Sequence, residues 1–288
     1  MPARQVDPAL KGGVDLHLHT TLSDGTERPE RVVELAHQAG LAAIAITDHD
    51  NIDALPVATP PARQYGIELL PGVEMSASAG EMDVHLLGFC FDPTNLALQR
   101  HLTQQQARRV ERVHEMVERL QRVGVTISAD EVLEVAGDGT VGRPHVARVL
   151  MKHGYVTSLP EAFSKYIGDA GPGFVPGSSC SPAQIIRIIR EAGGIPVLAH
   201  PKYLKRDAFI DELVQDGLLG LEVYHSDHTP NLVQHYGAIA DRLKLLKTGG
   251  SDFHGNAKEG VPVGAANVSY DAVEALKQWK AAHSSSVA

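Results

Sequence analysis

The sequence predicts an α/β protein of parallel β/α units, seven or eight of which would close an irregular barrel. Two observations carry this. Apolar runs of strand length alternate with helical patterns along most of the chain, the arrangement that pairs strands through crossover helices. Histidine and acidic residues recur where those runs end, and in a β/α barrel the strand ends converge on one face. A length of 288 residues suits one such barrel as well as two domains.

Residues 1–12 read as a lead-in. The first strand, Val14–Leu18, lies in Asp15-Leu16-His17-Leu18-His19. Side chains two apart on a strand share a face, so His17 and His19 project together as half of a metal site. A polar loop with Asp24 follows, then a helix over 28–39 with Val32, Val33, Leu35 and Ala36 at helical spacing and Gly40 as its stop. Leu41–Ile46 reads as a strand buried on both faces and ends at Thr47-Asp48-His49-Asp50. Ala54–Tyr65 is predicted helical, Ile67–Val73 is a strand ending at Glu74, and Val84–Phe89 is a strand carrying His85. Later runs deliver His200 after Gly194–Ala199 and His225 after Gly220–Tyr224. Lys244–Thr248 leads through two glycines to Asp252 and His254, and a last run, Val263–Val268, precedes a C-terminal helix and a serine tail over 284–286.

One segment breaks the alternation. Residues 99–123 form a charged amphipathic pattern with Val110, Val113, Val117, Leu120 and Val123 on one stripe. Short helices are predicted over 130–136, 143–153 and 160–166. Together they read as a helical insertion, 96–174, lidding the strand ends of a barrel formed by 1–95 and 175–288. His101, His114 and His153 are assigned to its surface.

Composition narrows the function classes. With 43% hydrophobic and 21% charged residues the chain reads as a soluble globular protein. No apolar run reaches membrane-spanning length and no signal-peptide hydrophobic region opens the sequence. Cys90 and Cys180 have no metal spacing and give no disulfide framework, so a reducing cytoplasm is the default location. A net charge of −9 without a Lys/Arg block argues against a grip on long nucleic acid, while a small phosphorylated ligand needs only a local positive site. There is no P-loop motif, and neither cysteine sits in a basic phosphate loop. Leu22 stands where an aspartyl-phosphate phosphatase would place its nucleophile ahead of Ser23-Asp24-Gly25-Thr26.

The metal-ligand candidates are His17, His19, Asp24, His49, Glu74, His85, His200, Asp252 and His254. Each has a plainer alternative: Asp24 before Gly25 suits a turn, Asp252 a helix cap, His85 a hydrogen-bonded core position. Their joint recurrence at strand ends is not explained that way. Imidazole and carboxylate without thiolate suit Zn, Mn or Fe.

Asp15–His19, Thr47-Asp48-His49, Gly72-Val73-Glu74, Ala199-His200-Pro201 and Ser251-Asp252-Phe253-His254 resemble, in order, the motifs of the polymerase and histidinol phosphatase (PHP) superfamily. The resemblance covers nearly the whole chain. It implies a distorted, TIM-like β/α barrel of about seven strands with two or three divalent metals on its C-terminal face. His17, His19, Glu74 and Asp252 would bind one metal. Glu74 would bridge to a second, held with His85 and His200, and Asp24, His49 and His254 would take a third. Some members carry histidine where Asp24 stands, and the carboxylate favours a harder ion, so Mn²⁺ is preferred over Zn or Fe.

The Gly142-Arg143-Pro144-His145 motif and the insertion resemble the branch holding 3′,5′-nucleoside bisphosphate phosphatases and a related 5′–3′ exoribonuclease. Arg143 suits a phosphate, which a guanidinium binds through a rigid fork. His145, Lys202, His225 and His228 are further candidates for phosphate contact or leaving-group protonation. The implied activity is removal of the 3′-phosphate from a small nucleotide such as adenosine 3′,5′-bisphosphate by a metal-activated hydroxide. Asp252 would be essential, and His225 or His254 would protonate the leaving oxygen. The nearest alternative is exonuclease action on short 5′-phosphorylated RNA or DNA. Histidinol-phosphate hydrolysis, amide hydrolysis and a non-catalytic polymerase accessory role are more distant ones.

Overall fold

A computed structural model describes residues 12–80, 82–177, 179–204 and 206–283. Most of the N-terminal lead-in and the serine tail lie outside them. Seven strands form one sheet in chain order: β1 (Val14–Leu18), β2 (Ala43–Ile46), β3 (Glu68–Ala79), β4 (Met82–Phe89), β5 (Ile195–Leu198), β6 (Gly220–His225) and β7 (Leu246–Gly250). β1, β2 and β5 are buried along their whole length, as their continuous apolar runs require.

The expectation of uniformly parallel units fails at β4, which is antiparallel to both β3 and β5. A tight turn is the reason: Ala79 pairs with Met82 across Gly80, which takes φ +65°, leaving no room for a crossover helix. Because β4 runs back from the rim, His85 near its start lies at the same level as the C-terminal ends of the parallel strands. Ser76 pairs with His85, and the Ala199 N–H donates to the His85 carbonyl at 3.1 Å, which sets His85 beside His200.

Val263–Val268 adds no eighth strand; it contributes one bridge, in which the Val14 N–H donates to the Val268 carbonyl at 2.9 Å. At the rim the ring closes through the segment after β7. The Asp252 N–H donates to the His17 carbonyl and the His19 N–H to the Phe253 carbonyl, both at 2.9 Å. This close approach needs glycine: a Cβ on Gly250 would overlap the backbone nitrogen and Cβ of His17.

Helices α1 (Pro29–Gln38) and α2 (Ala54–Tyr65) follow β1 and β2. After β4 come α3 (Leu96–Arg122), α4 (Ala129–Ala136), α5 (Arg143–Lys152) and α6 (Leu159–Ala162), the last widening into a π turn over Phe163–Ile167. Then α7 (Pro182–Glu191), α8 (Ala208–Gln215), α9 (Pro230–Leu243) and α10 (Asp271–His283) complete the outer layer. α3 serves two cores. Leu98 and Leu102 join the core of the sheet, whereas Val113, Met116, Val117 and Leu120 join a separate core with α4 and α5. The inward stripe therefore differs from the predicted one: Val110 and Val123 are 37% and 53% exposed, and Arg109 and Arg112 turn inward. His101 is also buried, correcting its surface assignment, because it lies on the face shared by Leu98 and Leu102. His114 and His153 are exposed. Among the described residues no helix is long and apolar enough to cross a membrane.

Candidate metal centre

The rim assembles around the buried carboxylate of Glu74, placed where β3 leaves β2 and continues along β4. Its Oε2 lies 3.2 Å from His17 Nε2, 3.1 Å from His19 Nε2 and 3.3 Å from His49 Nδ1. Its Oε1 lies 2.9 Å from His85 Nδ1 and 3.0 Å from His200 Nε2. On one flank Asp252 Oδ1 faces His17, His19 and His254 at 3.4–3.5 Å. On the other, Asp24 faces His254 at 3.3 Å, His19 at 3.5 Å and His49 at 3.6 Å. All nine predicted donors thus meet at one end of the barrel.

Four sets of donor atoms could each hold a cation: His19, Asp24, His49 and His254; His17, Glu74 and His200; His17, His225 and Asp252; His49, Glu74 and His85. The grouping departs from the one the resemblance implied, because Glu74 and several rings present two donor atoms to different neighbours. The chemistry of the set fits divalent ions. Buried His19 Nε2 and His49 Nδ1 lack a hydrogen-bond partner although Glu74 is close, an alignment suited to atoms converging on a cation.

Ring tautomers sort these groups. His254 Nδ1 lies 2.9 Å from the Asp252 carbonyl oxygen and so carries its proton there, leaving the Nε2 lone pair facing Asp24. In neutral His225 the reverse holds. Its Nδ1 accepts from the Asp227 N–H at 3.0 Å, so Nε2 bears the proton and points at Asp252 Oδ2, 3.5 Å away. In this tautomer His225 turns a proton, not a lone pair, towards Asp252, although at 3.5 Å Nε2 makes no hydrogen bond. The His17, His225 and Asp252 set would therefore need the other tautomer to hold a cation.

Strain and charge both concentrate here. His200 and Asp252 take φ +26° and +54°, unusual for residues other than glycine. Burial alone would raise the carboxyl groups of Asp24, Glu74 and Asp252, yet the surrounding imidazoles hold all three well below the usual range. Burial opposes charge on His17 and His19, but neighbouring carboxylates override it, raising His19 to about 10 and His17 well above its ordinary value. Burial wins at His49 and His200, which are lowered.

These directions fix a pH profile for the metal-free protein. Stability from His17 and His19 is present below their ordinary value of 6.5 and is lost as pH rises towards their raised values. Stability from His49 and His200 is lost as pH falls below 6.5, and that from the carboxylates at still lower pH. Thermal midpoints in chelator should peak near neutrality and fall by several degrees on both sides. Saturating metal should remove the alkaline fall, because bound cations keep these rings neutral; an alkaline fall unchanged by metal would contradict this.

Several site residues escaped the sequence reading. Asp15 accepts from the Ser251 N–H at 2.9 Å and the Gly264 N–H at 2.7 Å, tying β1 to the closing segment. Asp48 accepts from the Thr20 backbone at 2.7 Å and the Ser23 hydroxyl at 2.6 Å, fixing the loop that carries Asp24. Glu222 contacts His17 Nδ1 at 2.9 Å. The available signal was an acid in the middle of a buried apolar strand, which needs a partner.

Two cavities flank the centre. A pocket of about 170 Å³ runs from Asp24, His49 and His85 to Arg109, Arg112 and Arg143. Arg109 pairs with Asp50 at 2.8 Å, and Arg143 with Asp83 at 3.2 Å and Asp169 at 3.0 Å. Arg112 donates through Nε to the Val175 carbonyl; its buried Nη2 makes no hydrogen bond and meets Asp83 Oδ2 only at 3.7 Å. Burial and the nearby Arg143 lower Arg112 to about 9. A cleft of about 850 Å³ opens beside Asp252 and His254, walled by Arg148, Lys258, Phe163 and Tyr203; Pro144 and Phe163 line both spaces.

Four predicted contact residues line neither space, buried His225 among them. His145 Nδ1 accepts from the Gly142 N–H at 3.0 Å, capping α5, and burial lowers the ring to about 4. Exposed Lys202 donates to the Asp227 carbonyl at 3.2 Å. His228 packs behind His225 at 5.2 Å between ring centres, with Nδ1 donating to the Val223 carbonyl at 2.8 Å.

A family model for the PHP domain matches residues 15–137. The 5′–3′ exoribonuclease Rnm of Escherichia coli is 34% identical over 249 residues, 83% of this chain and 84% of that protein. The chain belongs to the PHP family. A 3′,5′-nucleoside bisphosphate phosphatase of Chromobacterium violaceum is likewise 34% identical, covering 87% of this chain and 90% of its own. The crystal structure of a protein assigned as a metal-dependent phosphoesterase from Bifidobacterium adolescentis superposes with TM-score 0.85 at 35% identity, over 92% of this chain and 95% of that one. This PHP protein is a metal-dependent phosphoesterase with the distorted barrel of its relatives.

Proposed function

We propose that this PHP phosphoesterase removes the 3′-phosphate of nucleoside 3′,5′-bisphosphates, adenosine 3′,5′-bisphosphate among them, using Mn²⁺. The arginine pocket beside the donor cluster carries this reading. Arg109 and Arg143 already have carboxylate partners, but the buried Arg112 Nη2 makes no hydrogen bond and meets Asp83 only at 3.7 Å. It has room for an anion within reach of the donor cluster, and a 5′-phosphate suits it. Arg112 and Arg143 would grip the 5′-phosphate and so hold the 3′-phosphate over Glu74.

His17, His19, Asp24, His49, Glu74, His85, His200, Asp252 and His254 would hold the metals, which supply Lewis acidity and an activated water. The carboxylates neutralise part of the metal charge. With the His254 lone pair turned to Asp24, His225 is the ring left with a proton at Nε2. Buried behind Asp252 and lining neither cavity, it would act on the leaving oxygen through Asp252 rather than by direct contact. A nucleotide substrate fits a cytoplasmic protein.

The wide cleft favours a second reading, 5′–3′ exonuclease action on short 5′-phosphorylated oligonucleotides. A departing inorganic phosphate needs no 850 Å³ space, whereas a departing nucleotide would stack against Phe163 and Tyr203. Products separate the two: inorganic phosphate from the bisphosphate, or mononucleotides from an oligonucleotide.

The pocket itself is tested by Arg112→Met. We expect kcat/KM on adenosine 3′,5′-bisphosphate to fall about 100-fold, with little change on adenosine 3′-monophosphate. An equal fall on both substrates would remove the 5′-phosphate from this pocket.

A further inference from the structure

Glu222 sits in the middle of β6, fully buried between the core residues Leu221 and Val223. A carboxylate there is costly unless both oxygens are engaged. Both are. Oε1 lies 2.9 Å from His17 Nδ1, and Oε2 accepts from the His200 backbone N–H at 2.7 Å. Glu222 contributes no atom to any of the four donor sets, whereas His17 and His200 share one with Glu74.

We infer that Glu222 is the positioning residue of this metal site, setting the His17 tautomer and seating the strained His200. The inference rests on the metal-binding reading above. With Nδ1–H donated to Glu222, neutral His17 keeps its Nε2 lone pair directed at Glu74 and Asp252. The bond to the His200 N–H holds that residue at φ +26°. One side chain therefore fixes the ring of His17 on β1 and the backbone of His200 just after β5, two residues that would face the same cation.

Glu222→Gln makes the role measurable. The amide has one acceptor oxygen for two N–H donors. When that oxygen stays on His200, the amide NH₂ faces His17 Nδ1, the ring proton moves to Nε2, and the lone pair the metal needs is gone. Chelator competition with Mn²⁺ on folded protein should show affinity at one site weakened about 10–100-fold. Excess Mn²⁺ should then restore turnover, which it would not do for a merely structural defect. Should the Gln variant fail to fold, Glu222→Asp decides, since its shorter side chain withdraws both oxygens and should weaken binding several-fold.

Wild-type Mn²⁺ affinity in a folded Gln variant, or in the Asp variant where it must serve, overturns the inference alone. Wild-type protein that takes up no divalent ion overturns the metal-binding reading, and this inference with it.

Discussion

Replacing Glu74 with glutamine is expected to lower kcat by about four orders of magnitude and to strip metal from the centre. The two Glu74 oxygens face five imidazole nitrogens at 2.9–3.3 Å. A carboxamide is nearly isosteric, so the strand pairing of β3 should survive: the Glu74 N–H still donates to the Asp48 carbonyl, and its carbonyl still accepts from the Asp50 N–H. What disappears is the negative charge that would let divalent ions share one buried space. Metal analysis of purified variant and wild type, with circular dichroism as a folding control, checks this. A folded variant with full metal content and wild-type turnover would show that Glu74 holds no metal.

Asp252→Asn should be nearly as damaging but more local. Asp252 Oδ1 faces His17, His19 and His254, whereas Oδ2 meets the Lys258 ammonium at 2.9 Å and His225 at 3.5 Å. Asparagine tolerates the left-handed backbone at this position as aspartate does, so the fold has no reason to fail. We expect turnover to fall about 10³-fold or more and metal content to drop, with the His49, Glu74 and His85 group still occupied. Retained activity at normal metal loading would refute the ligand role of Asp252.

The cluster of candidate donors was legible because two local rules converge on it. Alternation along β1 puts His17 and His19 on one face, and buried apolar strands make the polar residues at their ends conspicuous. Strand direction was not legible: Val84–Phe89 reads the same either way, and only the short turn at Gly80 reverses β4. The arginine pocket was hidden for another reason. Arg109 and Arg112 sit in a helix crowded with charge, and only the packing of α3 against two cores turns them inward. Arg143 was found through its motif; His145, beside it in the same motif, caps a helix end. Glu222 was readable in principle, as an acid within Gly220–Val223, yet its partners His17 and His200 lie far away in sequence.

The most direct measurement is phosphate release from adenosine 3′,5′-bisphosphate by Mn²⁺-loaded protein, with and without chelator. Rapid formation of AMP and phosphate, abolished by chelation and restored by Mn²⁺, is the predicted result. Release indifferent to chelator, or protein that carries its metals and cleaves neither this substrate nor a 5′-phosphorylated oligonucleotide, would contradict it.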